Sequence, residues 1–368
     1  MAMMRNICLV FLLLLAHCSH HDDNQDVNEE SLVWIPRPSQ EWSVATPESS
    51  NMDEDMLHQA YIQASQSPHM KSLLVIRYGN LVGESYFRDL EQDDIHDVMS
   101  VTKTIIAMLI GVAIEEGYLS GPEETIESYF VNQYPDLELE KWSITIGHLL
   151  TMTSGFEWNE SSGTEYINWA NSSDPIATVL NRPLVSVPGE HFTYNSGAVH
   201  LLSVILTKAT GKETLDFAEE FLFRPLGFGH VYWEKLALGY YNGGSGLDIR
   251  PRDMAKLGKL LLDQGMWNGR EILPPSWIQQ AMHPSRQSSG TYGPLAQIDY
   301  GYLWWLAEAR DNPIQLAWGW GGQFIATFPQ KDLVVITTSD WNVDVTIANN
   351  QEVANLELMI NHILPAAL

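Results

Sequence analysis

Residues 98–111 read VMSVTKTIIAMLIG, with a serine and a lysine three positions apart at the start of a long apolar run. The run is apolar nearly all round, which predicts a buried helix that stops near Gly117. Ser100 and Lys103 would share one face of it. Ser100 would lie at the positive end of the helix dipole, and burial would lower the pKa of Lys103. The pair therefore predicts a nucleophile with its base; the alternative is a serine N-cap beside a snorkelling lysine.

Length and composition set the bounds on fold and partners. The chain has 368 residues, of which 45% are hydrophobic, so we expect one large domain or two small ones with a sizeable core. Acidic residues outnumber basic ones by 46 to 20, a formal charge of −26. This excess argues against nucleic acid and against anionic membrane surfaces as partners.

The first eighteen residues, MAMMRNICLVFLLLLAHC, have one early arginine and then an apolar stretch too short to span a bilayer. This pattern predicts a signal peptide and an exported, periplasmic or extracellular protein. Both cysteines, Cys8 and Cys18, lie here, so no disulfide is expected in the mature chain. Residues 15–18 resemble the bacterial lipobox except at His17. We therefore expect lipidation at Cys18, with plain secretion as the alternative.

Residues 19–51 are polar and acidic and lack periodic apolar positions, which predicts a flexible tether. The folded domain is expected over residues 52–368. Strand-like runs lie near both of its ends: SLLVIRY and LVGESYF around Gly79-Asn80, and later YGYLWWL, GQFIATF and LVVITTS.

Helical patterns flank these runs at MDEDMLHQAYIQAS and VANLELMINHIL. The middle of the chain, roughly residues 110–290, is mostly helix and loop. We predict an α+β fold in which an antiparallel sheet is flanked by terminal helices and joined to a helix-rich lobe. A cleft between the two lobes is the expected place for a site.

Two further motifs give the opening serine and lysine a context. Tyr194-Asn195-Ser196 precedes another apolar helix, and Trp320-Gly321-Gly322 leads into a strand. In this order and spacing the three motifs resemble the serine β-lactamase and penicillin-binding-protein superfamily, and more narrowly the class C β-lactamase-like serine hydrolases. The resemblance covers about residues 55–365 and implies a β-lactamase/transpeptidase-like fold.

The resemblance also implies roles for individual residues. Ser100 would be the acylated nucleophile, Lys103 its base or proton relay, and Tyr194 a second relay. The backbone N–H groups of Ser100 and Gln323 would form the oxyanion hole. The residues implied to contact substrate are Ser196, Trp320, Gly321 and Gly322. Of the tryptophans at 304, 305, 318, 320 and 341, only Trp320 has a position that implies substrate contact.

Two positions depart from the family's lactamases, which carry asparagine where Ser196 stands and Lys-Thr-Gly where Trp320-Gly321-Gly322 stands. The missing lysine removes a positive charge that would hold a substrate carboxylate. The pattern therefore favours small ester or amide substrates, as in the family's esterases and 6-aminohexanoate-dimer hydrolases, with no metal or cofactor.

Three alternatives stay open: a β-lactamase, a D-Ala-D-Ala carboxypeptidase, and a catalytically silent cell-wall-associated binding protein. The last is disfavoured because a binding protein has no need of the full set Ser100, Lys103 and Tyr194. The chain has no G-x-S-x-G, HExxH, Walker A or GxGxxG motif, which argues against the enzyme classes that these define.

Overall fold

The main sheet is built by strands from both ends of the chain, as the sequence predicts. The computed structural model describes residues 32–161, 163–285 and 290–368. Its strands are β1 (Met70–Arg77), β2 (Asn80–Tyr86), β3 (His96–Asp97), β4 (Tyr232–Trp233), β5 (Leu247–Ile249), β6 (Met266–Trp267), β7 (Arg270–Glu271), β8 (Ala296–Tyr300), β9 (Trp305–Ala309), β10 (Asn312–Gly319), β11 (Gln323–Phe328) and β12 (Leu333–Ser339). Seven of them pair antiparallel in the order β2-β1-β12-β11-β10-β9-β8.

Helices fill most of the interval between β2 and β8 and also flank the sheet at both ends of the chain. They are α1 (Glu54–Gln66), α2 (Val101–Glu115), α3 (Glu127–Phe130), α4 (Ile146–Leu150), α5 (Thr164–Ala170), α6 (Pro175–Leu180), α7 (Ser196–Thr210), α8 (Thr214–Ala218), α9 (Pro251–Leu262), α10 (Pro275–Ala281), α11 (Val345–Leu358) and α12 (Leu364–Ala366). The predicted α+β architecture with a helix-rich lobe is confirmed.

The sheet separates two hydrophobic cores, because alternate residues of a strand point to opposite faces. On β1, Leu74 and Ile76 join the core of the helical lobe, where α2 and α9 pack. Leu73 and Val75 face the other way, into the core formed with the terminal helices α1 and α11. The helix that carries the Ser100 motif is therefore buried between the sheet and the lobe, and it ends before Gly117, which has a φ of 75°.

Some strand boundaries differ from the sequence prediction. The β1–β2 turn is centred on Tyr78 and Gly79, both at positive φ, one residue earlier than expected. The run YGYLWWL is divided, because Tyr300 ends β8 and Trp305 begins β9, with Leu303 at a φ of 58° between them. A continuous aromatic-rich run thus conceals a turn.

The predicted flexible tether needs correction over residues 32–51, which pack onto the domain. Trp34 is 6% exposed and stacks on Tyr61, with ring centroids 5.1 Å apart. The Glu41 carboxylate accepts a hydrogen bond from Lys256 at 2.6 Å. Aromatic burial and ion pairing thus order this segment despite its acidic composition, and the folded unit begins before Met52.

The predicted signal peptide at residues 1–18, with Cys18, lies outside the described residues, as do residues 19–31 of the predicted tether. Among the helices of the described part of the chain, none combines the length and the apolar character needed to cross a membrane.

Candidate active site

Ser100 occupies the N-cap position of α2, where the sequence places it. The residue before it, Met99, has a φ of 51°, a left-handed conformation that non-glycine residues seldom adopt. The carboxylate of Asp97 holds this bend by accepting the Met99 N–H at 2.7 Å. Strained backbone conformations of this kind are typical of functional sites. Here the bend at Met99 places Ser100 at the wall of a cavity.

Lys103 lies directly beneath Ser100 and is 1% exposed. Its ammonium donates to Ser100 Oγ at 2.7 Å and to the carbonyl of Gly244 at 2.7 Å. Burial lowers the pKa of Lys103 to about 8, although the negative charge of Glu160 opposes the change. A lysine with this pKa is partly neutral near physiological pH, so it can accept the serine proton.

Tyr194 completes the group from the loop before α7. Its ring stacks on Trp305 with centroids 5.9 Å apart, and the Lys103 nitrogen lies 4.8 Å from the Tyr194 ring centroid. Burial and the charge of Glu160 raise the pKa of Tyr194, while a hydrogen bond with Ser100 lowers it. Because the net change is upward, the phenol is protonated and suits donation of a proton better than its removal from Ser100.

Sequence reasoning missed Glu160. One carboxylate oxygen accepts the Ser196 N–H at 2.6 Å and the Trp158 indole N–H at 2.6 Å, and the other accepts from Ser196 Oγ at 2.8 Å. Ser196 thus contacts a carboxylate where the family's lactamases have asparagine. Glu160 and Ser196 are 36 residues apart and meet only through tertiary folding, so no local motif marks the pair.

Gly321 and Gly322, which are predicted to contact substrate, do not line the cavity and instead face the C-terminal helix. The Gly321 N–H donates to Glu352 at 2.9 Å, and the Gly321 carbonyl accepts from Gln351 at 2.6 Å. The Gly322 carbonyl accepts from Asn355 at 3.1 Å. Both glycines have positive φ, 76° and 93°, and a Cβ on Gly322 would lie 2.4 Å from the Asn355 nitrogen. The pair is needed for the turn and for close approach of α11.

Gln323, whose backbone N–H is predicted as the second oxyanion donor, does not line the cavity, and its side chain is turned away from it. It is fully buried, and its carboxamide exchanges hydrogen bonds with the backbone of Ser339 at 2.9 Å in both directions. The carboxamide also contacts His96 at 3.1 Å and donates to the Trp320 carbonyl at 3.1 Å. Gln323 therefore supports the turn from behind, and it does not line the cavity.

Trp320 is the residue of this turn that reaches the cavity. It follows Gly319, the last residue of β10, where an added Cβ would lie only 2.4 Å from the Val98 carbonyl oxygen. This close approach brings the end of β10 against the segment that precedes Ser100. Within the described residues, neither the N–H of Ser100 nor that of Trp320 donates a hydrogen bond. Two free amides at adjacent chain segments are the groups from which an oxyanion hole is made.

The cavity has a volume of about 1120 Å³. Of the residues predicted for the site, Ser100, Tyr194, Ser196 and Trp320 line it, as do Trp305, Trp318 and Trp341. Trp304 is 1% exposed and belongs to the core. The structure thus brings the three predicted catalytic residues together at one wall of an aromatic cavity.

Comparison with known proteins agrees with this geometry. The family model for beta-lactamases matches residues 62–357. The chain belongs to the beta-lactamase family. This confirms the resemblance inferred from the three motifs, and with its hydrolase relatives it identifies the chain as a serine hydrolase.

Relatives of this beta-lactamase-family chain have several activities in their names. The 6-aminohexanoate-dimer hydrolase of Paenarthrobacter ureafaciens is 22% identical over 292 residues, 73% of this chain and 72% of the relative. EstCE1, a hydrolase with promiscuous acyltransferase activity, has a TM-score of 0.66 at 16% identity, over 87% of this chain and 98% of its own. A penicillin-binding protein from Bacillus halodurans has a TM-score of 0.64 at 16% identity, over 82% and 99%. These structural likenesses establish the fold.

Proposed function

We propose that this serine hydrolase cleaves small esters or amides through an acyl-enzyme formed on Ser100. The observation that carries the proposal is the buried Lys103 nitrogen, 2.7 Å from Ser100 Oγ, at the wall of a large cavity. A serine with an adjacent base of lowered pKa is the arrangement required for nucleophilic catalysis.

In the acylation step, neutral Lys103 accepts the proton of Ser100 Oγ as that oxygen bonds to the substrate carbonyl carbon. The N–H groups of Ser100 and Trp320 stabilise the resulting oxyanion. Collapse of this intermediate breaks the bond to the leaving oxygen or nitrogen, which takes a proton from Tyr194. Protonated Lys103 then returns the proton to Tyr194.

In the second step, water attacks the acyl carbonyl carbon, and its proton passes through the Tyr194 hydroxyl to neutral Lys103, which then holds the proton that Ser100 Oγ takes back. The carbonyl carbon releases Ser100 Oγ, which regains a proton, and the carboxylic acid departs. Each group ends in its starting state, so the cycle needs no metal or cofactor.

The charge of the cavity favours esters and amides over β-lactams. A β-lactam carries a carboxylate beside the bond that is cut, and a charge-assisted hydrogen bond to it is worth roughly 1.5–3 kcal/mol. The described residues that line the cavity include Trp320 but no lysine or arginine that could hold such a carboxylate. An indole face suits an apolar acyl or alkoxy group better than a carboxylate.

The test compares kcat/KM for p-nitrophenyl butyrate with that for nitrocefin, using Ser100→Ala as the inactive control. We expect the ester to have the larger value and Ser100→Ala to lose it by several orders of magnitude. A larger value for nitrocefin would support the β-lactamase alternative. No turnover of esters, amides or β-lactams by the wild-type protein would support the silent binding protein.

A further inference from the structure

The cavity that contains Ser100 has a negatively charged wall. Its described lining residues include Glu160 and Glu352 but no lysine, arginine or histidine. Glu160 is fixed by Ser196 and Trp158, and Glu352 accepts from the Gly321 N–H and the Tyr292 hydroxyl, both at 2.9 Å. These donors fix the position of the two carboxyl groups, and burial raises the pKa of Glu352, so Glu160 is the group on which the charge of the wall chiefly depends.

Nearby basic groups do little to offset this charge. Lys103 is buried beneath Ser100, already donates two hydrogen bonds, and has its pKa lowered to about 8 by burial. Arg182 lies outside the wall, over the Trp158 ring at 5.5 Å from its centroid, and is paired with Glu165. Neither is placed to bind a substrate carboxylate.

Further acidic groups lie behind the same wall. Asp97 and Asp248 are register partners in the β3–β5 pair, and the charges of Glu234 and Asp97 both act on Tyr166, which lines the cavity. Burial raises the pKa of Asp97 to about 7; the Met99 N–H lowers it, whereas Asp248 and Glu234 raise it. Burial is the largest cause of this raised pKa, and the repulsion from Asp248 and Glu234 adds to it, so the charged groups that act on Asp97 are acidic.

Aromatic rings form much of the cavity lining. The lining contains Trp158, Tyr166, Tyr194, Tyr292, Trp305, Trp318, Trp320 and Trp341. The face of such a ring attracts a cation, most strongly when the ring is an indole and the site excludes water. Because Trp158 donates its indole N–H to Glu160, a ring and a carboxylate lie side by side. Rings together with a carboxylate are the chemistry that recognises an ammonium group on an apolar body.

We propose that the preferred substrates are small esters or amides that carry an ammonium group, and that Glu160 with the neighbouring indoles selects for it. This inference rests on the proposed function, because it specifies the substrate class of the same serine-hydrolase site. The ammonium group would lie in the part of the cavity next to Ser196, away from the reacting carbonyl.

The test uses two esters of matched shape, butyrylcholine and 3,3-dimethylbutyl butyrate, in which carbon replaces the cationic nitrogen. Hydrolysis of both can be followed by acid release in a pH-stat. We expect kcat/KM to be about tenfold higher for butyrylcholine, with the ratio decreasing as salt is added. Equal values for the two esters, or a preference for the neutral one, would overturn the inference while leaving the serine-hydrolase proposal intact.

A pair of variants locates the selectivity. Glu160→Gln removes the wall charge, and we expect it to reduce the butyrylcholine preference to near unity. Glu157→Gln, an exposed residue of the same loop that does not line the cavity, makes the same change in net charge and should retain the full preference. Retention of the preference by Glu160→Gln, or its loss in Glu157→Gln, would contradict the assignment.

Inhibition gives a second readout that requires no variant. Choline should inhibit hydrolysis of the neutral ester competitively, at concentrations where its neutral isostere, 3,3-dimethyl-1-butanol, does not. Equal inhibition by the two alcohols would count against the ammonium site. Failure of the wild-type protein to hydrolyse either ester, with no covalent labelling of Ser100, would refute the proposed function itself and this inference with it.

Discussion

Lys103 illustrates how burial adapts a single residue to the proposed chemistry. The residue is 1% exposed, and within the described part of the chain its nitrogen donates hydrogen bonds to Ser100 Oγ and to one backbone carbonyl. Among the residues that the structure describes, no carboxylate pairs with it directly, so desolvation outweighs the more distant charge of Glu160 and lowers the pKa of Lys103 to about 8. The residue is therefore able to change protonation state in the range where the enzyme would work.

The pH dependence of catalysis follows from this pKa. The proposed base is the neutral amine, whose fraction increases as the pH rises through about 8. We therefore expect kcat/KM for a neutral ester to increase with pH around a midpoint near 8. Lys103→Arg keeps a positive charge that cannot be lost at these pH values and should reduce kcat by at least about a hundredfold. A flat profile between pH 6 and 9, or an active arginine variant, would show that Lys103 is not the base.

At the scale of a secondary-structure element, the turn between β10 and β11 is held in position by α11. Three buried polar side chains on one face of α11 form hydrogen bonds with the backbone of this turn. They are Gln351 at the Gly321 carbonyl, Glu352 at the Gly321 N–H and Asn355 at the Gly322 carbonyl. The turn carries Trp320, whose N–H is the proposed oxyanion donor. The C-terminal helix thus positions a backbone group at the site without contacting substrate through Gln351 or Asn355.

Asn355→Ala tests this coupling. The change removes hydrogen bonds to the Gly322 carbonyl at 3.1 Å and to Ser339 Oγ at 2.9 Å, leaving a buried carbonyl with one donor fewer. We expect kcat to fall about tenfold with little change in KM, less than the loss of an entire oxyanion donor would cost.

The matched control is Asn350→Ala, at an exposed position of the same helix. It should leave kcat unchanged. If Asn355→Ala lowered the thermal unfolding temperature but retained normal kcat, the contact would be structural only.

Elements with a strong local pattern could be predicted from the sequence. The all-round apolar run after Ser100, the alternating runs near both termini and the terminal amphipathic patterns correspond to α2, β1, β2, β11, β12, α1 and α11. The middle strand β10 was not predicted, because its polar start and its aromatic end do not alternate clearly. Its position in the sheet is determined by pairing with β9 and β11.

The site was predictable as far as its motifs are local. Ser100 and Lys103 are one helical turn apart, and Tyr194 precedes a recognisable helix. By contrast, the place of Glu160 beside Ser196 depends on tertiary packing. So does the finding that the free N–H at the cavity belongs to Trp320 and not to Gln323. In particular, the free N–H of Trp320 lies where it does because β10 ends against Val98. Counting residues along the sequence from Gly321 and Gly322 does not show where that strand ends.

At the scale of the whole molecule, ion pairs hold the segment before α1, residues 32–51, against the helical lobe. Glu41 is paired with Lys256, Arg250 and Arg252, the last at 3.5 Å. Burial raises the pKa of Glu41, but hydrogen bonds and the charges of Lys256 and Arg250 outweigh it, so the pKa is lowered. A carboxyl with a lowered pKa stabilises the folded state above its ordinary pKa of 4.5, and the contribution is lost as the pH falls through the folded value.

Glu41→Gln should therefore reduce the free energy of unfolding by about 1.5–3 kcal/mol at pH 7. The difference from the wild type should narrow in acid, below pH 4.5. Urea unfolding at several pH values measures both effects. Glu48→Gln, at an exposed position of the same segment, is the control and should have almost no effect. If Glu41→Gln were as stable as Glu48→Gln, the segment before α1 would not be held by these ion pairs.

We also propose, from the leader sequence, that the protein is exported and anchored through a lipid on Cys18. Fractionation of the source cells should find the wild type with membranes and Cys18→Ala in the soluble fraction. The reason is that a cysteine lipidated with more than one acyl chain is stably anchored, whereas the alanine variant carries no lipid. A mature N-terminus located downstream of Cys18 would contradict lipidation while leaving export intact.

The central claim is that Ser100 is the nucleophile, and covalent labelling tests it most directly. The protein is treated with a fluorophosphonate probe, digested, and the modified peptide is mapped by mass spectrometry. The account predicts one adduct, on Ser100, in the wild type and none in Ser100→Ala, because Ser100 is the lining serine whose hydroxyl lies 2.7 Å from the buried Lys103 nitrogen. A label on another serine, or equal labelling of Ser100→Ala, would contradict it.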